Sequence, residues 1–162
     1  MQHEINPVSG PNARDLLVKQ AKALLSEESD RIANAANLSA LIFNSMQQVN
    51  WAGFYFLQDD QLVLGPFQGQ PACVRIALGR GVCGTAAASA KTQRVADVHA
   101  FEGHIACDAA SRSEVVVPLI LDGKVIGVLE IDSPVTDRFS REDQALLEAL
   151  AAVYIQSISG LN

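Results

Sequence analysis

The stretch SEVVVPLILDGKVIGVLEIDS, residues 113–133, contains two apolar strand patterns on either side of Asp122-Gly123. Both turn residues tolerate a positive φ angle, so the pair predicts a two-residue hairpin that joins antiparallel strands. Pro118, inside the first run, indicates a bulge or an unpaired backbone position. The stretch therefore predicts a hairpin within an antiparallel sheet.

Acidic side chains gather at the open end of this hairpin. Counting straight back from the turn places Glu130 opposite Val115 and Asp132 near Ser113, with Glu114 among them. Strand alternation puts Glu130 and Asp132 on the same face. Like charges at one place cost free energy unless something binds them. The pattern predicts either a solvated sheet end or a site for a small cationic or protonatable ligand.

Helix patterns precede and follow the strands. One predicted helix covers about residues 12–29, and Asp30 can cap a second. Ser140 and Asp143 resemble a capping box at the start of the last helix. The first two helix patterns each carry an apolar stripe, made up of Leu16, Leu17, Ala21, Leu24 and Leu25, and of Ile32, Ala35, Ser39, Ile42, Met46 and Val49. The spacing of the second stripe indicates two helices packed together, within one chain or across a dimer.

Further strand patterns lie between the helices. They are WAGFYFLQ (51–58), LVLGPF (62–67), CVRIAL (73–78) and RVADV (94–98), with a glycine-rich loop running into a short helix over 79–92. Tight turns between strands predict an antiparallel sheet with the terminal helices on one face, which is an α+β class. We expect one domain over 1–162: N-terminal helices over about 12–49, sheet and loops over about 50–133, and a C-terminal helix over about 140–158.

Composition excludes several classes of function. The net charge is −6, without a cluster of Lys and Arg, which argues against binding to nucleic acid. No apolar run is long enough to span a membrane, and the N-terminus has no pattern of a secretion signal. Three cysteines are an odd number and too few for a disulfide scaffold, so we expect a reducing, cytoplasmic location.

The three cysteines are the candidate nucleophiles. Cys107 lies on a loop seven residues before Glu114, Cys73 starts a strand, and Cys83 lies where a helix N-terminus would stabilise a thiolate. Each could instead be a small buried apolar side chain, as free cysteines usually are. Their spacings match no common zinc pattern, so no metal is expected.

A thiol beside carboxylates suggests a particular chemistry. Nearby carboxylates raise the pKa of a thiol, so their role near Cys107 would be to protonate a substrate or bind an ammonium group. That combination suits reduction of a sulfoxide, which leaves a cysteine sulfenic acid that another thiol converts to a disulfide. Trp51 and Tyr55 share one strand face and form either an apolar slot or ordinary core. His99 and His104 are interpreted as loop residues.

Several segments together resemble the free methionine-(R)-sulfoxide reductases, which are catalytic members of the GAF-domain class. These segments are NWAGFYFL (50–57), GPFQGQPACVRIALGRGVCGTAA (65–87), VADVHAFEGHIACDAASRSEVVVPL (95–119), VIGVLEIDSP (125–134) and FSREDQALLEALA (139–151). The resemblance implies a six-stranded antiparallel sheet flanked by helices, usually in a homodimer. It also implies free methionine sulfoxide as the substrate, thioredoxin as the reductant and no bound cofactor.

The resemblance further implies residue roles. Cys107 matches the attacking cysteine, and Cys73 and Cys83 match the other two, one or both of which form the disulfide. Cys73 is slightly favoured as the resolving partner. Glu130 stands where the family is expected to carry Asp. The remaining matches are the pocket carboxylates Glu114 and Asp132 and the pocket aromatics Trp51 and Tyr55.

Two other functions fit parts of the pattern. A GAF domain without catalysis would bind a small molecule such as a cyclic nucleotide and signal through its helices. A redox sensor would use the same cysteines without turnover. The three cysteines, together with acids at the strand ends, favour the reductase.

Overall fold

A six-stranded antiparallel sheet lies at the centre of the computed structural model, which describes residues 11–105, 107 and 109–160. The strands follow the order β3-β2-β1-β6-β5-β4. The elements along the chain are α1 (Pro11–Leu25), α2 (Arg31–Ser45), β1 (Trp51–Gln58), β2 (Gln61–Gly69), β3 (Arg75–Ala77), α3 (Gly81–Ser89), β4 (Gln93–Val95), a short 3-10 helix (Val98–Ala100), β5 (Ser113–Leu121), β6 (Lys124–Ser133) and α4 (Arg141–Ile158). The α+β class and the antiparallel sheet are confirmed.

The helices divide between the two faces of the sheet. Side chains from α1, α2 and α4 form the larger core against one face, which includes Phe54, Leu129 and Ile131. The short helix α3 packs on the other face, where Trp51 and Tyr55 belong to a second core. Because successive strand residues alternate between faces, β1 contributes to both cores. The second face is the one that carries the candidate site.

Both sequence signals for helix starts correspond to hydrogen bonds. The Asp30 side chain accepts from the backbone N–H groups of Ile32 and Ala33 at the start of α2. Ser140 and Asp143 form a reciprocal capping box at α4. Part of the predicted apolar stripes is nevertheless exposed, because neighbouring elements cover only one side of these helices: Leu16 is 50%, Leu24 38% and Ile32 57% exposed. No described helix has the length and apolar character needed to cross a membrane.

The predicted register of the β5–β6 hairpin is wrong beyond its first two pairs. Leu121 pairs with Lys124 and Ile120 with Val125, as straight counting requires, but Leu119 pairs with Gly127. One extra residue in β6 therefore forms a bulge. Pro118 had indicated an irregularity, and it lies next to the shift rather than at the extra residue.

The bulge changes which side chains face each other at the open end. Glu130 lies opposite Val116 rather than Val115, and Asp132 lies opposite Glu114 rather than near Ser113. Without the extra residue, Glu114 would be opposite Ile131 and would project to the other face of the sheet. The bulge thus places all three carboxylates on one face.

Candidate active site

A small cavity lies between the second face of the sheet, the start of α3 and the loop before β5. Its volume is about 30 Å³, which is room for about two water molecules. Of the predicted site residues, Cys73 alone is not part of its lining. The others that line it are Trp51, Tyr55, Cys83, Cys107, Glu114, Glu130 and Asp132.

Strand pairing brings the three carboxylates together. Glu114 on β5 faces Asp132 on β6, and Glu130 lies two residues earlier on β6. Oxygen atoms of all three lie within 4.8 Å of one another, close enough to share one cation. Glu114 and Asp132 are 5% and 6% exposed. Two of the three acids are thus held almost out of water, and Glu130 is partly buried.

Burial and mutual repulsion make these acids hard to ionise. Burial, followed by the charge of Glu130, raises the pKa of Glu114 well above its usual value. Burial also raises the pKa of Glu130 and of Asp132, with further increases from Asp132 and Glu114 respectively. Glu114 lies within hydrogen-bonding reach of both neighbours. A carboxylate can only accept, so a hydrogen bond between two of these acids needs a proton within the cluster.

Two donors outside the cluster contact its members. The Ser111 hydroxyl donates to Asp132 Oδ2 at 3.1 Å. The Cys83 thiol donates to Glu130 Oε2 at 3.1 Å. Asp132 Oδ1 is buried without a conventional donor, so a protonated acid nearby is its natural partner. The cluster is therefore equipped to hold and release a proton.

A disulfide joins Cys73 to Cys107 across one edge of the cavity. The two Cα atoms are 5.4 Å apart, and 34 residues separate the cysteines in sequence. Cys83 keeps a free, buried thiol. The expectation of a stabilised Cys83 thiolate is wrong, because burial and then the Glu130 charge raise its pKa well above the usual value. Proximity to the helix start does not offset those two effects.

The two aromatic residues hold the segment that carries Cys73. Tyr55 donates its hydroxyl to the Cys73 carbonyl oxygen at 2.8 Å, and Trp51 Nε1 donates to the Gln70 carbonyl oxygen at 3.2 Å. The Trp51 ring stacks on Tyr55 and on Phe67, with centroids 6.0 and 5.2 Å away. They share one face, as the sequence spacing predicts, and they position a cysteine as well as lining the cavity.

Sequence analysis did not identify some of the residues that line the cavity. Ser111 is 7% exposed and bonded to Asp132, although it reads as an ordinary loop residue. His104 lines the cavity rather than lying apart from it; burial and then the nearby His99 lower its pKa. Ile105 also lines it and is 40% exposed. Their closeness in sequence to Cys107 was the available clue.

Comparisons with known proteins point in one direction. The GAF domain family model matches residues 33–158. The free methionine-R-sulfoxide reductase of Escherichia coli is 56% identical to this chain over 136 residues, which is 84% of this chain and 82% of that protein. The similarity thus extends over most of both sequences.

Solved structures give the same result. The fRMsr of Staphylococcus aureus in complex with substrate has a TM-score of 0.87 and 51% identity, covering 96% of this chain and 99% of that one. The free methionine-R-sulfoxide reductase of Neisseria meningitidis in complex with its substrate has a TM-score of 0.91 and 39% identity, with coverages of 97% and 96%. Sequence and backbone therefore agree over nearly the whole chain.

Proposed function

This chain belongs to the free methionine-R-sulfoxide reductases of the GAF-domain class, and we propose that it reduces free L-methionine-(R)-S-oxide to L-methionine. One observation carries the assignment of roles. Cys107 and the carboxylates of Glu114, Glu130 and Asp132 line the same cavity. A nucleophilic sulfur and a proton donor within one cavity are the groups that sulfoxide reduction needs.

In the proposed reaction, Cys107 is the nucleophile and the acid cluster supplies the proton. The Cys107 sulfur attacks the substrate sulfur while an acid protonates the sulfoxide oxygen. Overall, the sulfur–oxygen bond of the substrate breaks and the oxygen ends on Cys107 as a sulfenic acid, so the substrate gains two electrons and the cysteine loses two. The Cys73 thiol then attacks the Cys107 sulfur, releases water and closes the disulfide.

Cys73 is the resolving cysteine in this proposal. Sequence reasoning favoured Cys73 only slightly over Cys83 for this role. The bond between Cys73 and Cys107 supports the first, since it joins these two sulfurs and leaves Cys83 as a free thiol. The hydroxyl of Tyr55 supports it too, because its hydrogen bond fixes the backbone of the Cys73 segment.

Recognition of the substrate would use the same cavity. An ionised carboxylate of the cluster can bind the substrate's ammonium group, and a protonated one can donate to the sulfoxide oxygen. Trp51 and Tyr55 offer an apolar wall for the thioether end. An enclosed cavity of this kind, once reduction of the disulfide has enlarged it, would favour the free amino acid over a methionine within a protein chain.

Recycling requires an external dithiol, and we assign that role to thioredoxin. A reducing compartment such as the cytoplasm suits this chemistry.

We also propose a homodimer, supported by the exposed apolar residues Leu16, Leu24 and Ile32 on α1 and α2. Sedimentation of the purified chain at micromolar concentration tests it: a dimer supports the proposal and a monomer contradicts it.

A thioredoxin-coupled assay with free methionine sulfoxide tests the function. We expect Cys107→Ser to lose all turnover, because no other residue replaces its sulfur. Cys73→Ser should release one equivalent of methionine per chain and then stop, since its sulfenic acid lacks a partner. The control is Cys83→Ser, which should still form the disulfide between residues 73 and 107 in a peptide map.

Three outcomes would contradict the proposal or one of its assigned roles. Full activity of Cys107→Ser would remove the nucleophile from its role. Oxidation of Cys107 by peroxide without any methionine released from the sulfoxide would instead indicate a redox sensor. Continued turnover of Cys73→Ser would return the resolving role to Cys83.

A further inference from the structure

Cys83 is a buried thiol for which the proposed reaction has no use. It lies in the first turn of α3, is 5% exposed and takes no part in the disulfide. Its sulfur is 3.1 Å from Glu130 Oε2. A neutral thiol is a weak donor, and a carboxylate is among the strongest acceptors it can find. The contact therefore favours the ionised form of Glu130.

The donors around the acid cluster are distributed unequally. Asp132 receives the Ser111 hydroxyl and Glu130 receives the Cys83 thiol. Among the described residues, no donor outside the cluster contacts the Glu114 side chain. A donor stabilises the charged form of the carboxylate that accepts from it. A single proton shared by the three acids is therefore most stable on Glu114.

Other polar groups near the cluster do not disturb this order. The Tyr55 hydroxyl is directed to the Cys73 carbonyl oxygen, away from the acids. Arg80 and His104 line the cavity, but the ion pairs found in the described part of the chain do not involve any member of the cluster. Hydrogen bonds from outside the cluster therefore distinguish its three members, in addition to burial and mutual repulsion.

We propose that Cys83 is a positioning residue: its thiol donates to Glu130, keeps that carboxylate ionised and so leaves the shared proton on Glu114, which protonates the sulfoxide oxygen. The inference rests on the proposed reduction and adds a third cysteine to it without a redox step. In this role Cys83 acts through Glu130.

The first test compares Cys83→Ala with Cys83→Ser in single-turnover reduction of methionine sulfoxide across a range of pH. In Cys83→Ala the proton is shared between Glu114 and Glu130, so we expect the maximal rate to fall about 10-fold with KM changed less than about 2-fold. The cluster also holds its proton more firmly, so the alkaline limb of the profile moves to higher pH. Cys83→Ser, which restores a donor, should recover most of the rate.

Several results distinguish this role of Cys83 from a structural or a resolving role. A merely structural role for Cys83 would lower the rate without moving the alkaline limb. In the thioredoxin-coupled assay, a resolving role would make both substitutions stop after one turnover, with no disulfide between residues 73 and 107. If wild type itself releases no methionine, the proposed function fails and the inference fails with it. Unchanged rates and profiles in Cys83→Ala would overturn the inference alone.

A second measurement needs no substitution at Cys83. In the oxidised protein, Cys83 carries the only thiol of the three cysteines, so the infrared S–H stretching band belongs to it. Glu130→Gln offers a weaker acceptor, and we expect the band to move to higher frequency. Ser111→Ala, which changes the donor to Asp132, is the control and should leave the band in place. An unmoved band in Glu130→Gln would contradict the hydrogen bond.

Discussion

The behaviour of single residues at this site follows from burial more than from residue type. Glu114 and Asp132 are ordinary acids in the sequence, but both are almost fully enclosed. Enclosure disfavours charge, and each acid adds to the repulsion felt by the next. The cluster therefore keeps a proton at a pH at which exposed acids would lose theirs, which is the property that a proton donor needs.

We predict that Glu114→Gln lowers the rate of reduction and flattens the dependence of stability on pH. The pKa of Glu114 is raised in the folded state, so its contribution to stability is complete below the unfolded value of 4.5 and is lost as pH rises through the folded value. Glutamine carries no such titration, so the variant should have a higher Tm than wild type at pH 8. For a chain of this length, an increase of about 1 kcal/mol in the free energy of unfolding raises Tm by ~2–4 °C.

The measurement is thermal unfolding between pH 4 and 9, together with single-turnover kinetics. The loss of a general acid should reduce the rate by about 100-fold or more. Glu27→Gln, at an exposed position after α1, is the matched control and should follow wild type in both respects. Identical pH slopes for Glu114→Gln and wild type would contradict the raised pKa.

At the scale of elements, one extra residue in β6 decides the site. The hairpin turn and the two strands follow from sequence, but the bulge after Val125 rotates the rest of β6 relative to β5. Gly127 follows immediately and lies where a Cβ atom would collide with the Tyr55 carbonyl oxygen on β1. The bulge and the close approach of β1 to β6 therefore depend on glycine at this position.

We predict that Gly127→Ala destabilises the protein by about 3 kcal/mol, because backbone atoms of β1 must move to accommodate the methyl group. Gly123→Ala is the control: its turn position has a φ angle of +78° but no atom within 4 Å of an added Cβ. It should cost about 1 kcal/mol from the left-handed backbone alone. Urea unfolding measures both, and equal losses would show that β1 and β6 can separate without penalty.

At the scale of the whole molecule, the disulfide links the loop before β5 to the segment before β3. These segments are 34 residues apart and belong to opposite halves of the sheet order. Their junction lies beside the cavity, whose volume of about 30 Å³ is far too small for an amino acid. The oxidised state is thus one in which the substrate site is closed.

We predict that the reduced protein binds methionine, the proposed product, with an affinity at least about 10-fold higher than that of the oxidised protein. Calorimetric titration with and without reductant measures this difference. Cys73→Ser is the control, since it cannot form the bond to Cys107 and should bind methionine under both conditions. Equal affinity of wild type in both redox states would show that the cavity opens without breaking the disulfide.

Sequence reasoning reached the parts of this protein that depend on local pattern. The Asp122-Gly123 turn, the Asp30 cap and the Ser140 capping box are all formed by residues close together in the chain, so their residue types suffice. Sequence reasoning also identified the three carboxylates and the aromatic pair. Strand alternation accounts for the shared face of Glu130 and Asp132, whereas the face of Glu114 depends on the bulge in β6.

Tertiary structure decided the remainder. The register at Gly127 depends on contact with Tyr55 of another strand, and the partner of Cys107 depends on how two distant segments meet. The raised pKa of Cys83, opposite to the expectation from its helix, depends on burial beside Glu130. The physical reason is common to all three: local backbone preferences act over a few residues, whereas desolvation, steric exclusion and disulfide geometry act between atoms that only the folded chain brings together.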